Sequence, residues 1–165
     1  MSAHPTIRPG SIDDATTIAA YQRRAARITF APLLRSGSYD GLDDRGRVET
    51  FREWLGEGSG FVTKVVDVDG TAVGHVTVSG NELVHLFIDP DHQGLGLGRR
   101  LLAEGEEMLA GGGHVDVELH TMVGNEPAIR LYRSAGWSMT DRVLHNEHGR
   151  LVYDEHVLVK RLGGG

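Results

Sequence analysis

Three glycines at alternate positions, Gly94, Gly96 and Gly98, follow an apolar, β-branched run from Glu82 to Asp89 and stand directly before a helical pattern. Leu97, Leu101, Gly105 and Met108 recur there at helical spacing, with Leu102 and Leu109 beside them. A glycine-rich junction between a strand and a helix lets several backbone N–H groups point at one spot, with the positive end of the helix dipole behind them. Such a junction can hold a pyrophosphate. Arg99 and Arg100 lie in the first helical turn, where cations oppose the dipole, so a nearby anion would help explain them. The plainer alternative is an ordinary tight strand-to-helix turn.

Spacing decides which phosphate loop this is. A Walker loop needs Gly-Lys-Ser/Thr after its last glycine, but Gly98 is followed by Arg99-Arg100. A dinucleotide fingerprint needs G-x-G-x-x-G, and the sixth position here is Arg99. Gln93-Gly94-Leu95-Gly96-Leu97-Gly98 does fit Q/R-x-x-G-x-G/A, and on this motif the chain resembles the GNAT superfamily of acyl-CoA N-acyltransferases. A second segment, Asn125 to Trp137, looks like the family's N-x-x-A-x-x-L/F-Y-x-x-x-G-F/W. The two matches stand in the family's order and separation and cover about residues 82 to 137.

The resemblance implies acetyl-CoA as co-substrate. Its pyrophosphate would lie on Gln93, Gly94, Leu95, Gly96, Leu97, Gly98 and Arg99. Leu86, Phe87 and Ile88 match the strand residues whose backbone pairs with pantetheine, although their side chains alone read as core. The resemblance gives Asn125 a side-chain hydrogen bond to the pantetheine arm, whereas its place before a helix also suits an N-cap. Tyr132 matches the tyrosine that faces the sulfur.

Amide formation from a thioester needs an amine that has lost its proton, a polarised carbonyl, a protonated leaving thiolate, and reactants about 3 to 3.5 Å apart. A phenol, with a pKa of about 10, can donate to a thiolate, which suits Tyr132 to the acid role. By spacing alone Tyr132 packs on the sheet, since Ala128, Leu131 and Ala135 share its face. Three residues compete for the base. Glu82 opens the strand before the glycine loop, where the resemblance implies a glutamate working through water. His120 lies on the next strand, five residues before Asn125, where some members of the family carry a glutamate base. His85 falls on the face opposite Glu82 by strand alternation. The order of preference is Glu82, His120, His85.

The remaining pattern supplies the elements that must position these groups. Thr6 to Arg8 is a short strand. Ser11 with Asp13-Asp14 caps a helix to about Arg27, and Val48 to Leu55 is a second helix after a loop. Phe61 to Val68 and Ala72 to Val78 are strands joined by Asp69-Gly70, a tight-hairpin signal. Gly111-Gly112-Gly113 stops the helix after the glycine loop. Val115 to Thr121 is a strand, and Gly136 ends the helix that Pro127 opens. Strands at about Ser138 to Leu144 and Leu151 to Lys160 flank a turn from Asn146 to Gly149. The expected fold is α/β: one GNAT-like domain over residues 1–165, with a mixed, mostly antiparallel sheet and helices on both faces.

Composition narrows the function. The net charge of −6 disfavours a nucleic-acid binder. No apolar run is long enough to span a membrane and no signal peptide stands at the start, so no membrane partner is expected. Cysteine is absent, which excludes an acyl-cysteine route and fits a cytoplasmic setting. His145, His148 and His156 could meet across the last hairpin, but they sit around a polar turn and read as solvated, so no metal is expected.

The sequence therefore reads as an acetyl-CoA-dependent N-acetyltransferase working by direct attack in a ternary complex. A non-catalytic acyl-CoA-binding module and an enzyme using another acyl group are the alternatives. The acceptor is an unidentified amine, small molecule or protein, and a homodimer is left open. Residues from about Arg27 to Trp54, with the last hairpin, are expected to bind it. Phe30, Tyr39 and Trp54 would supply walls, and Asp40, Asp43 and Asp44 would favour a cationic amine.

Overall fold

Seven strands lie in the order β1-β2-β3-β4-β5-β7-β6 in the computed structural model, which describes residues 4–34, 44–148 and 151–163. The strands are β1 (Thr6–Pro9), β2 (Val62–Val68), β3 (Thr71–Ser79), β4 (Glu82–Ile88), β5 (Asp116–Met122), β6 (Ser138–His148) and β7 (Leu151–Arg161). The helices are α1 (Ala15–Thr29), α2 (Asp44–Leu55), α3 (Leu97–Gly111) and α4 (Glu126–Ser134). Every neighbouring pair is antiparallel except β4 and β5. This is the mixed, mostly antiparallel sheet that the hydrophobic pattern implies.

Strand alternation explains the two helical layers. Val65 and Ala72 pack against Ala15, Ile18 and Tyr21 of α1 and Phe51 of α2. Val66, Val76, Val78 and Leu83 point the other way, into Leu97, Leu101, Leu102 and Leu109 of α3. Gly105 allows α3 to lie close, since a Cβ there would come within 2.8 Å of Val76 and 3.0 Å of Leu83. The Asp69-Gly70 turn has φ of 52° and 86°, the doubly left-handed backbone of a type I′ hairpin.

Two boundaries shift by about four residues from the sequence expectation. α2 starts at Asp44 rather than Val48. β6 continues through the expected turn to His148, because Asn146, Glu147 and His148 pair with Tyr153, Val152 and Leu151 of β7. Cross-strand pairing there overrides the turn preference of asparagine.

Two irregularities shape the centre of the sheet. β4 carries a bulge: Thr77 pairs with His85 and Val78 with Leu83, leaving Val84 as the extra residue. Parallel pairing of β4 with β5 is confined to Glu82–Glu118 and Leu83–Leu119. Beyond Leu83 the two strands part, and the backbone of Leu86 to Ile88 borders the gap.

Candidate functional site

The gap between β4 and β5 opens into two cavities that share a wall. The first, about 380 Å³, runs along Leu86, Phe87 and Ile88 to Gln93, Gly94, Gly96, Leu97 and Gly98, and is covered by Asn125, Ala128, Leu131 and Tyr132 of the α4 segment. The second, about 230 Å³, reaches from the same Leu86, Phe87, Asn125 and Tyr132 to His85, His120, Tyr153 and Glu155. Phe30 borders both.

The glycine loop has the backbone that its sequence demands. Gly94 and Gly96 sit at φ of 80° and 78°, in the left-handed region that glycine adopts without strain. Gly96 is the N-cap of α3, so the amides of Leu97, Gly98 and Arg99 are first-turn groups without an intrahelical acceptor. The loop is fixed from below. Asp89 accepts from the Asp91 amide at 3.2 Å and pairs with Arg24 of α1 at 3.0 Å. Gln93 Nε2 reaches the Ile88 carbonyl at 3.5 Å, at the limit of a hydrogen bond.

Not every motif residue faces the cavity. Leu95 is 66% exposed and lies outside its lining. Arg99 borders a separate groove with Arg130 and Arg133, between α3 and α4. Arg100 donates to the Pro5 carbonyl at 3.4 Å, so the residue just before β1 accounts for part of its placement.

Asn125 precedes α4 as its N-cap residue, but its side chain makes no capping bond; it borders both cavities instead. The two readings of this asparagine therefore separate. Tyr132 packs against Trp137, with ring centroids 6.5 Å apart, and burial pushes its phenol up to about 12. The proton thus stays on the phenol across the physiological range. Its hydroxyl has no partner among the described residues. Trp137 Nε1 donates to Glu106 at 2.9 Å, tying the end of α4 to α3.

Glu82 and His120 stand together. His120 Nδ1 lies 3.4 Å from Glu82 Oε1, and its Nε2 lies 3.0 Å from Glu118 Oε1. A proton arriving on either ring nitrogen meets a carboxylate. The parallel register that places Glu82 beside Glu118 creates this row. Partial burial raises the Glu82 carboxyl above its ordinary range; His120 opposes that shift, and Glu118 and Glu155 add to it. Glu118 is held low, chiefly by its hydrogen bond with His120 and also by Arg142.

His85 departs from the alternation argument. The extra residue Val84 inverts the pattern, so His85 shares the α1 face with Glu82 rather than opposing it. Burial lowers its imidazole to about 4. Trp54 also differs from expectation. It stacks on Phe61 at 4.6 Å and packs behind His85, in the core rather than on a cavity wall. Tyr39, Asp40 and Asp43 lie outside the described residues, as does the side chain of Asp44. The last hairpin supplies Leu151, Tyr153 and Glu155 to the second cavity, and α1 supplies Gln22. Sequence reasoning passed over Gln22 because it falls on the buried side of an otherwise ordinary amphipathic helix. His145 pairs with Asp154 at 2.7 Å and Glu147 at 3.0 Å on the exposed face of the hairpin. No helix among the described residues is long and apolar enough to cross a membrane.

Comparison with known proteins agrees with this architecture. The model of the acetyltransferase (GNAT) family matches residues 29–137. Mycothiol acetyltransferase of Clavibacter sepedonicus is 34% identical over 143 residues, covering 83% of this chain and 44% of that protein. The chain thus spans less than half the length of this curated relative. The structure of yncA from Salmonella typhimurium, solved with its cofactor acetyl-CoA, has a TM-score of 0.72 at 22% identity, over 98% of this chain and 95% of that one. PaiA N-acetyltransferase of Thermoplasma acidophilum, solved with coenzyme A, has a TM-score of 0.69 at 19% identity, over 98% of this chain and 99% of that one. The chain belongs to the acetyltransferase (GNAT) family.

Proposed function

We propose that the chain is an N-acetyltransferase that moves the acetyl group of acetyl-CoA to a primary amine by direct attack in a ternary complex. One observation carries this reading: two cavities of different character meet at Leu86, Asn125 and Tyr132. One ends at a loop of backbone amides, and the other is lined by two histidines, His85 and His120, and the carboxylate of Glu155. A thioester threaded along the first would bring its carbonyl to an amine held in the second.

The chemistry follows from Tyr132 at the junction, from His120 in the wall of the second cavity, and from Glu82 behind it, 3.4 Å from the His120 ring. Glu82, with His120, takes a proton from the ammonium. The freed nitrogen attacks the thioester carbon, an N–C bond forms, and the C–S bond breaks. Tyr132 gives its proton to the departing thiolate and recovers one from the second N–H of the attacking nitrogen, while Glu82 releases its proton to solvent. Ammonium and thioester thus become amide, thiol and one released proton. The upward shift makes the Glu82 carboxylate a stronger base than an ordinary glutamate. Glu118, kept ionised, steadies the His120 ring. The pyrophosphate would rest on Gly94 to Gly98 and the α3 dipole.

The acceptor cavity combines apolar walls, Leu34 and Met122 among them, with an acidic end at Glu155. That favours an amine over an anionic nucleophile. The similarity to proteins named mycothiol acetyltransferase adds a mycothiol-type acceptor to the amines worth screening. The test is a screen of primary amines for release of CoA thiol, with the acetylated product identified by mass. Tight acetyl-CoA binding with no thiol release from any amine would favour a non-catalytic coenzyme-binding module instead.

A further inference from the structure

Two buried side chains and one half-buried side chain, all outside the sequence motifs, form one hydrogen-bonded row. The Tyr21 hydroxyl lies 2.6 Å from His75 Nδ1. His75 Nε2 lies 3.4 Å from His85 Nδ1. The row starts on α1, crosses β3 and ends on β4 in the wall of the second cavity. Phe51 and Phe87 pack against both imidazoles. Tyr21 and His75 are each 1% exposed, so water cannot replace a missing partner. The remaining ring nitrogen, His85 Nε2, has no partner among the described residues, and the half-buried His85 ring lines the second cavity.

The direction of the row follows from counting protons. A phenol carries one proton and needs an acceptor for it when buried. Among the described residues, the partner of the Tyr21 hydroxyl is His75 Nδ1. A proton on that nitrogen would leave the phenol with a buried donor and nowhere to place it. Tyr21 therefore donates, and His75 accepts at Nδ1 and carries its own proton on Nε2. That proton goes to His85 Nδ1, which leaves the His85 proton on Nε2. Both rings are neutral, since burial holds His75 well below its ordinary value and His85 at about 4.

We propose that His85 presents a fixed Nε2–H donor to the acceptor cavity, set by Tyr21 through His75, and that it selects amines bearing a neutral oxygen, a hydroxyl or carbonyl, beside the nitrogen to be acetylated. The nearby Glu155 disfavours an anionic oxygen there. A fixed donor cannot be the base, which leaves proton removal to Glu82 and His120. Tyr21 and His75 are positioning residues. The substrate half of this proposal rests on the acetyl-transfer reading, whereas the tautomer half does not.

Long-range proton–nitrogen correlation spectra of histidine-labelled protein, without ligand, read the tautomers. Both His75 and His85 should carry their proton on Nε2 at neutral pH, and Tyr21→Phe should remove that preference at His75. A wild-type His85 protonated on Nδ1 would overturn the proposal. The substrate half is read from matched probes, ethanolamine against propylamine and alaninamide against 2-aminobutane. The oxygen-bearing member of each pair should show a KM about tenfold lower, the scale of one well-placed hydrogen bond. His85→Leu should erase the difference, and His85→Gln, which keeps an N–H donor, should retain part of it. No preference in the wild type, or one that survives His85→Leu, would overturn the selection. If no amine releases thiol while acetyl-CoA still binds, the acetyl-transfer reading fails, and the spectra still decide the tautomer.

Discussion

The first cavity takes most of its floor from one stretch of chain, Leu86 to Gly98, whereas the second gathers residues from α1, β4, β5, α4 and β7, from Gln22 to Glu155. The first offers backbone amides and a helix terminus. The second offers side chains that meet only because the sheet brings them together. A site of backbone groups is set by local conformation, chiefly the left-handed Gly94 and Gly96. A site of distant side chains can change its ligand through a few substitutions without disturbing the fold. On the proposed reading, coenzyme recognition and acceptor choice are separable, and each should yield to perturbation alone.

The sharpest break should come at the base. Glu82→Gln should lower turnover by about 10²- to 10⁴-fold, the range for one general base, while calorimetric acetyl-CoA affinity holds. The base works when ionised, so the wild-type kcat/KM should climb with pH through the raised Glu82 titration. That acid limb should lie above the ordinary carboxylate value of about 4 and vanish in Glu82→Gln. A limb that persists unchanged would assign it to another group.

Tyr132→Phe should cost on the order of 10²-fold in turnover with little loss of acetyl-CoA affinity, because proton donation matters in the transition state. Wild-type turnover in this variant would remove Tyr132 as the acid. On the coenzyme side, saturating acetyl-CoA at 100 times its Kd should raise the unfolding free energy by about 2.7 kcal/mol. Gly96→Val forces a side chain onto a residue at φ of 78° and should weaken coenzyme binding at least about tenfold in folded protein. The acceptor KM should then move little. If both constants shift together, the two cavities are not independent.

Smaller effects belong to the acceptor side. Glu155→Gln should raise the KM of a cationic amine severalfold, more at low ionic strength than at high. An unchanged constant at low salt would exclude Glu155 from amine recognition. Asp14 anchors the start of α1, accepting from Arg8 at 2.8 Å and 2.9 Å and from the Ser11 amide at 2.8 Å. Asp14→Asn should cost about 1–3 kcal/mol of stability. Arg8 lowers the folded-state pKa of Asp14, so this contribution is present above the unfolded value of about 3.9 and fades as pH falls through the folded one. Denaturant melts of both proteins at pH 7 and pH 3 should therefore differ less at the lower pH.

The sequence alone determined the order of the elements, the hairpin at Asp69-Gly70, the glycine junction and the helix that carries Tyr132. Each depends on neighbours within a few residues: glycines that accept left-handed backbone, helical spacing and strand alternation. Only the tertiary structure decided which charged groups meet. Glu82 and His120 touch because β4 and β5 share a short parallel register, which no local pattern encodes. His85 turned to the other face because one extra residue at Val84 shifted the alternation. Tyr21 and His75, 54 positions apart, each look like ordinary core until the sheet and α1 close on one another. Local conformational preference writes the backbone half of the site. The side-chain half is written by long-range packing, where a single bulge or register shift changes what every later residue faces.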